Sequence, residues 1–460
     1  MLYVSKSLHL NEYVAGVTIL TICNGISEIA ANFRQTGSID TELIYNQYLG
    51  TSLFEMAFIG ALIVLRRRFY VFPEFFLPSI ITLIGASTLL QILMHQEQIS
   101  FAQNLILLAI YIVYLIAIML TSIIVRSQIE QSSSKSLERA VMLSMELEIR
   151  TRDGRSVDIE ATQAAGFVGT HPNQQLLAQF VNRLRPFLWQ ELEVSNGWMR
   201  SAKLFVAPVQ TLITLLVPKV NYELPMHGWS KLMFVVNVVL FPLFCVLVIS
   251  GTDYSYHKME LVFATSVMTA VLVFLVTRTD RKPPGYIGIA LFALFGTVFV
   301  SLLIVFEIGA MLGTLAVVMN ISKTSLGITL LPWANCWIDV NTSLELTRRG
   351  VSKIGFAACL AGPLFNILIA LFIVFSTRMI QFESLTIEVR EGASGPTCSA
   401  YLVITSVLIL LTLVFSKFQA RACLGFMLFF TYGMFLLNTV LSELEIIHAY
   451  GTDHNADDND

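Results

Sequence analysis

Apolar residues run along this chain in long blocks separated by short polar punctuation. A helix needs roughly 20 such residues to cross about 30 Å of hydrocarbon. Four blocks of that size stand early, at 12–33, 46–65, 72–94 and 102–125. A polar stretch follows over about 126–200, and seven more blocks come after it, at 229–250, 257–277, 286–319, 322–346, 352–375, 400–416 and 421–442. The pattern predicts an all-α, polytopic membrane protein of about 11 transmembrane helices. It divides the chain into a first membrane half (1–125), a polar regulatory loop with an interfacial segment (126–228), a second membrane half (229–452) and an acidic tail (453–460).

Composition sharpens the class. Hydrophobic residues make up 55% of the chain and charged residues 13%, where soluble domains carry about a quarter charged. The partner implied is the lipid bilayer. Net charge is −3 and no basic stripe stands clear of the membrane flanks, which argues against a nucleic-acid partner. Cys23, Cys245, Cys336, Cys359 and Cys423 lie in apolar blocks and Cys398 near a loop, so no disulfide framework is implied.

Lysine and arginine give the orientation. With the polar stretch on one side, Arg66, Arg67, Arg68, Arg278, Arg281, Lys282, Arg348, Arg349, Lys353, Lys417 and Arg421 all fall on that side. The loops 34–45, 95–101, 251–256 and 377–398 and the acidic tail fall on the other. This alternation requires that 203–219, which contains Pro208, does not cross; it reads as interfacial or re-entrant. Within the polar stretch, Ser132 to Ser134 and the charges near 135–160 read as a solvated loop. Leu176, Leu177, Phe180, Val181 and Leu184 recur at helical spacing up to Pro186, as in an amphipathic surface helix, with a calcium-sensing or calmodulin-type target segment as the alternative.

Two stretches 311 positions apart match without a gap. Ala15 to Leu20, then Asn24 and Glu28, fall on Leu326 to Leu331, then Asn335 and Asp339; Leu49 to Glu55 fall on Leu360 to Asn366. The charge alternation makes the copies antiparallel, which predicts two inverted α-repeats meeting at the bilayer centre. Asn24 and Glu28 share a helix face, as do Asn335 and Asp339, Thr51 and Glu55, and Gly362 and Asn366. Carboxylate and amide oxygens converging from four helices suit a hard cation, calcium or sodium. An intramembrane carboxylate costs about 2.5–3.5 kcal/mol on insertion scales, so Glu28, Glu55 and Asp339 are expected to have a function. A lone asparagine or threonine also serves as interhelical hydrogen-bond glue.

These residues carry a resemblance. Leu8 to Thr18, continuing to Asn24-Gly25-Ile26-Ser27-Glu28, is similar to the first α-repeat of the cation/calcium exchanger superfamily, and within it to the mitochondrial sodium/calcium exchanger branch, whose pattern there is GNGAPD. Trp333 to Asp339 and Phe356 to Asn366 resemble that branch's WGNSIGD and FSACFGGxxFN, and Ser442 to His448 resembles its C-terminus. The resemblance implies exchange of calcium against sodium or lithium by alternating access. Asn24 and Glu28 then take the first repeat's ligand positions, Asn335 and Asp339 the second's, and Thr51, Glu55, Gly362 and Asn366 the flanking ones. It also implies a mitochondrial inner-membrane address; composition alone fits the plasma membrane or another organelle equally.

The departures define the alternatives. Ala334, Cys336, Trp337 and Ile338 replace the branch's glycine, serine, isoleucine and glycine, so one oxygen ligand is lost. Glu55 adds a charge where the branch tends to be apolar. The exchanger fold places a long tilted helix before each repeat; 286–319, about 51 Å long at 1.5 Å per residue, fits the second, while about eleven residues precede the first. The expectation is a first half without its leading helix, either because the helix has been lost or because the sequence is an incomplete gene product. Two other readings follow, a transport-dead paralogue acting as a membrane regulatory subunit and a proton-coupled exchanger using Glu55. Glu307, inside the long helix, fits a gating or structural role as well as direct ligation and is not counted among the ligands. No enzyme, cofactor, EF-hand or phosphate-gripping loop is indicated.

Overall fold

A computed structural model describes residues 2–8, 10–35, 41–148, 176–184, 197–220, 225–250, 256–279, 282–283, 285–392, 394–444 and 446–447. The acidic tail, Arg281, Pro186 and the 149–160 part of the expected loop lie outside them. The chain is a mainly helical, multi-pass integral membrane protein, and ten of its described helices are long and apolar enough to cross a bilayer.

Two compact units form, Met1–His9 with Met142–Thr297, and Leu10–Val141 with Val298–Asp460. The first unit holds α1 (Leu2–Ser7). In the second, α2 runs through Glu12–Ala15, a π-helical turn at Gly16–Leu20, and Thr21–Gln35. α3 likewise runs through Thr41–Leu53, a π turn at Phe54–Ile59, and Gly60–Arg66, and leads by strand β1 (Phe69–Tyr70) into α4 (Pro73–Met94). Strand β2 (Gln98–Ser100) then enters α5 (Phe101–Glu148).

α5 corrects the loop expected from Ser132 to about 160, because the helix continues through 132–148. Leu137, Glu138, Arg139, Ala140, Met142, Leu143 and Met145 are strong helix formers. Charge there begins beyond the apolar stretch Phe101–Val125 and does not end the helix.

In the first unit, α6 (Leu176–Leu184) is the expected amphipathic helix, α7 (Gly197–Leu216) covers most of 203–219, and α8 (Lys231–Ser250) and α9 (Tyr256–Val276) pair as neighbours. Asn237 of α8 donates its amide to the carbonyls of Thr214 and Leu215 at 3.0 and 2.7 Å, which satisfies the end of α7. Phe205 and Leu204 on α7 are exposed, and α7 is not among the ten helices apolar enough to span. α10 (Tyr286–Met319) is the long helix expected before the second repeat.

The eighth of the eleven expected spans, 322–346, is not one helix. Its first part, α11, is Lys323–Ser325, a π turn at Leu326–Leu330, and Leu331–Asn335. Regular geometry lapses at Cys336 (φ −81°, ψ 2°), and α12 (Trp337–Arg348) follows. After it come α13 (Ser352–Phe365, a π turn at Asn366–Ala370, Leu371–Gln381), β3 (Thr386–Glu388), α14 (Gly395–Phe415), β4 (Gln419–Ala420) and α15 (Ala422–Glu443).

Within the second unit the two copies exchange contacts. A Cβ on Gly16 would fall 2.4 Å from the Ile354 carbonyl oxygen and 2.9 Å from Ala357 Cβ. A Cβ on Gly327 would fall 3.1 Å from the Leu43 carbonyl oxygen and 3.0 Å from Asn46 Cβ. Each of these four pairings shifts by the same 311 positions into its counterpart. Each copy's first helix therefore lies directly on the other copy's second, at a residue with no side chain, as closely packed membrane helices require. Thr18 Oγ1 donates to the Val14 carbonyl and Thr329 Oγ1 to that of Ser325, again at the common offset. The four π turns also fall at matching places, within a residue or so.

The strands repeat the exchange, β1 pairing antiparallel with β4 and β2 with β3. They also sort the charges. The β1–β4 ribbon gathers Arg66, Arg67, Arg68, Lys417 and Arg421, and Gly350 lies beside Arg67, bringing in Arg348 and Arg349. The β2–β3 ribbon gathers Glu97, Glu383 and Glu388. α2 begins at the basic end, where Tyr13 donates to Ser79 in the first turns of α4. α11 begins at the acidic end, where Thr324 donates to Glu42 and Gly392 lies close by. The copies are thus inverted.

Candidate cation site

Four side chains, three from helical segments and one from the break between α11 and α12, converge where the copies cross. One carboxylate oxygen each from Glu28 (α2), Glu55 (α3) and Asp339 (α12), and Sγ of Cys336 at the helix break, all lie within 4.8 Å of one another. Glu28, Glu55 and Asp339 are 4%, 7% and 7% exposed and Cys336 is fully buried. Glu28 Oε2 and Glu55 Oε2 have no hydrogen-bond partner, and burying such an oxygen unpaired is costly. Opposite ligands of a calcium ion at about 2.3–2.6 Å are about 4.6–5.2 Å apart. The spacing admits a cation of that size.

Local structure places each group. Glu55 lies in the π turn of α3, which rotates its side chain relative to a regular helix, and such turns recur at functional sites. Asp339 lies in the first turn of α12, where backbone dipoles favour a negative charge. Glu55 also needs its neighbour to be glycine, because a Cβ on Gly362 would fall 2.0 Å from Glu55 Oε2. The acid at 55 and the missing side chain at 362 are one arrangement.

Beside these groups is a cavity of about 20 Å³, lined by Thr21, Asn24, Gly25, Glu55, Ile59, Asp339, Ser343, Ala358, Cys359, Gly362, Phe365 and Asn366. That is room for about one water-sized particle. No lysine or arginine lines it. Three carboxylates at this spacing repel by about 3 kcal/mol per pair at an effective dielectric of about 20, so the arrangement favours positive charge.

The structure distributes the expected site residues unevenly. Asn24, Glu55, Asp339 and Asn366 line the cavity, and Glu28 joins the four-atom cluster without lining it. Thr51 Oγ1 and Asn335 Nδ2 are buried without a partner, but neither residue lines the cavity. Cys336, expected as a lost ligand, stands among the donors. Thr21, Ser343 and Cys359 were not singled out; Ser343 sits four residues after Asp339, one turn along the same face, which was the available signal. Glu307 is exposed and belongs to neither group.

An inverted repeat with a buried carboxylate cluster at its crossing defines the class, a polytopic membrane protein of the transporter type. The chain belongs to the sodium/calcium exchanger protein family, whose model matches residues 1–120 and 296–441. It is 25% identical over 462 residues to a mitochondrial sodium/calcium exchanger protein of Homo sapiens, covering 97% of this chain and 77% of that one. The protein of the same name from Rattus norvegicus is 24% identical over 459 residues, with the same coverage. A cation/calcium exchanger 5 of Arabidopsis thaliana is 24% identical over 37% of this chain and 32% of its own. Among solved structures, the sodium-calcium exchanger NCX_Mj soaked with sodium aligns at a TM-score of 0.38 and 12% identity, covering 95% of this chain and 90% of that one.

Proposed function

We propose that this chain is a secondary-active antiporter that exchanges calcium for sodium or lithium by alternating access. The observation that carries the reading is the set of three buried carboxylates with unpartnered oxygens at the crossing of the two copies. Glu28, Glu55 and Asp339 supply the charge, and Asn24 and Asn366 supply neutral oxygens from the cavity wall. Thr51 and Asn335, buried without a partner outside that wall, are held in reserve for a second conformation of the repeats. The exchanged contacts support this division of labour, since two halves packed on each other by equivalent surfaces can trade roles when they rock.

The relatives named as mitochondrial exchangers support the mitochondrial inner membrane as the address. The test is calcium uptake into proteoliposomes with an imposed sodium, lithium or proton gradient. Uptake driven by sodium or lithium supports the reading. Uptake driven by protons alone would replace it with the proton-coupled alternative, and none under any gradient would favour a transport-dead regulatory subunit.

A further inference from the structure

The cluster at the crossing has a donor that calcium does not use. Cys336 Sγ lies within 4.8 Å of oxygens from Glu28, Glu55 and Asp339. Sulfur is a soft ligand that binds calcium and sodium poorly and thiophilic metals well. All four atoms lie within 4.8 Å of one another, a span that a divalent cation of calcium's size can fill. A thiophilic cation of that size would compete for the same oxygens while using the sulfur as well, and cadmium is the plainest example.

The surroundings leave the thiol free for this role. Cys336 is fully buried, at the point where α11 gives way to α12, and its main chain is held by the bond from its N–H to the Pro332 carbonyl at 2.9 Å. The Val340 N–H donates to the Cys336 carbonyl, also at 2.9 Å, so the sulfur is delivered by a turn anchored on both sides. Glu28 Oε2 and Glu55 Oε2, both more than nine-tenths buried and unpartnered, supply the independent sign of a ligand site. Cys359 lines the neighbouring cavity, but its sulfur is not one of the four clustered donors.

We propose that this site also takes a calcium-sized thiophilic divalent cation of the cadmium class, bound by Cys336 Sγ with the carboxylates of Glu28, Glu55 and Asp339, in competition with calcium. The proposal deepens the exchanger reading by naming a second cation class for the same site, and its test needs no transport.

Full-length protein in detergent is titrated with cadmium chloride. Saturable ultraviolet absorption from sulfur-to-cadmium charge transfer is expected at one equivalent, reversed by excess calcium. Cys336→Ser should abolish the band, and Glu28→Gln should weaken cadmium binding at least tenfold. X-ray absorption on the unmodified protein, which needs no variant to fold, should count one sulfur among oxygens. No sulfur, a band that survives in Cys336→Ser, or cadmium binding indifferent to calcium would each overturn the proposal. Cadmium binding as described with no sodium-driven calcium uptake would leave it standing while the antiporter reading falls; the reverse result would do the opposite.

Discussion

Glu55 fills the space that a side chain at Gly362 would need, the Gly362 Cβ position being 2.0 Å from Glu55 Oε2. The two residues come from different copies and from repeat positions that do not correspond, Thr51 being the counterpart of Gly362 and Asn366 that of Glu55. The site is therefore asymmetric where the scaffold is symmetric.

That pairing predicts a coupled effect. Gly362→Ala should leave the protein folded, because the atom it meets is the end of a flexible side chain, and should push the Glu55 carboxylate out of the cluster. A loss of calcium transport of about tenfold, equivalent to about 1.4 kcal/mol, is expected. In a Glu55→Ala background the same change should have little further effect. Equal losses in both backgrounds, measured at matched abundance, would refute the coupling.

Glu28→Gln and Asp339→Asn should each remove most calcium transport while leaving membrane insertion intact, since each takes away a charge and keeps the shape. Flux in proteoliposomes at equal protein content decides this. Wild-type rates in either variant would take the site away from the cluster.

Much of this arrangement was legible in the sequence because it depends on spacing. The 311-residue offset, the four-residue pairs and the placement of arginine and lysine all survive translation into helices, and the strand pairings put Arg66 and Lys417 at one end and Glu97 and Glu383 at the other. Local geometry was not legible. A π turn adds a residue without a sequence signature, so the rotation of Glu55 could not be read. The lapse at Cys336 lies in an apolar run, and neither Asn335 nor Trp337 announces it. Chemistry misled in one place, where Cys336 looked like an absence because only its hardness was considered. The helix through 135–148 hides in its charges, which suggest solvation although the residues that carry them, such as Glu138 and Arg139, are helix-compatible.

Topology can be tested through the ribbons. Lys417 and Glu383 are both exposed, one beside β4 and the other just before β3. Single cysteines placed there in a cysteine-free chain should react with an impermeant thiol reagent from opposite faces of the membrane. Labelling of both from one face would undo the inverted arrangement.

Glu443 tethers the start of the second copy. The Ser322 N–H and hydroxyl donate to its two carboxylate oxygens at 2.7 Å, and the Ser325 hydroxyl donates to it as well. Ser322 also caps α11 through its own side chain. Hydrogen bonds to a charged group contribute about 1.5–3 kcal/mol, so Glu443→Ala should loosen α11 locally. Faster amide hydrogen exchange over 322–330, with the rest of the second unit unchanged, is the expected result. Unaltered exchange there would mean that packing alone holds the segment.

The final prediction concerns which cation the site prefers. Cys336→Ser exchanges a soft donor for a hard one at nearly constant volume, so packing changes little and a shift in affinity can be assigned to the donor atom. Calcium prefers oxygen, so its half-maximal concentration for transport should fall several-fold in the variant. Ala334→Gly and Ile338→Gly, which restore the exchanger branch's glycines beside the break, should add to the gain. Cadmium inhibition should move the other way, requiring a higher concentration. The crossed shift separates a donor effect from a general loosening, which would move both cations in the same direction. Parallel shifts, or no shift in either, would mean that Cys336 sits among the ligands without serving as one.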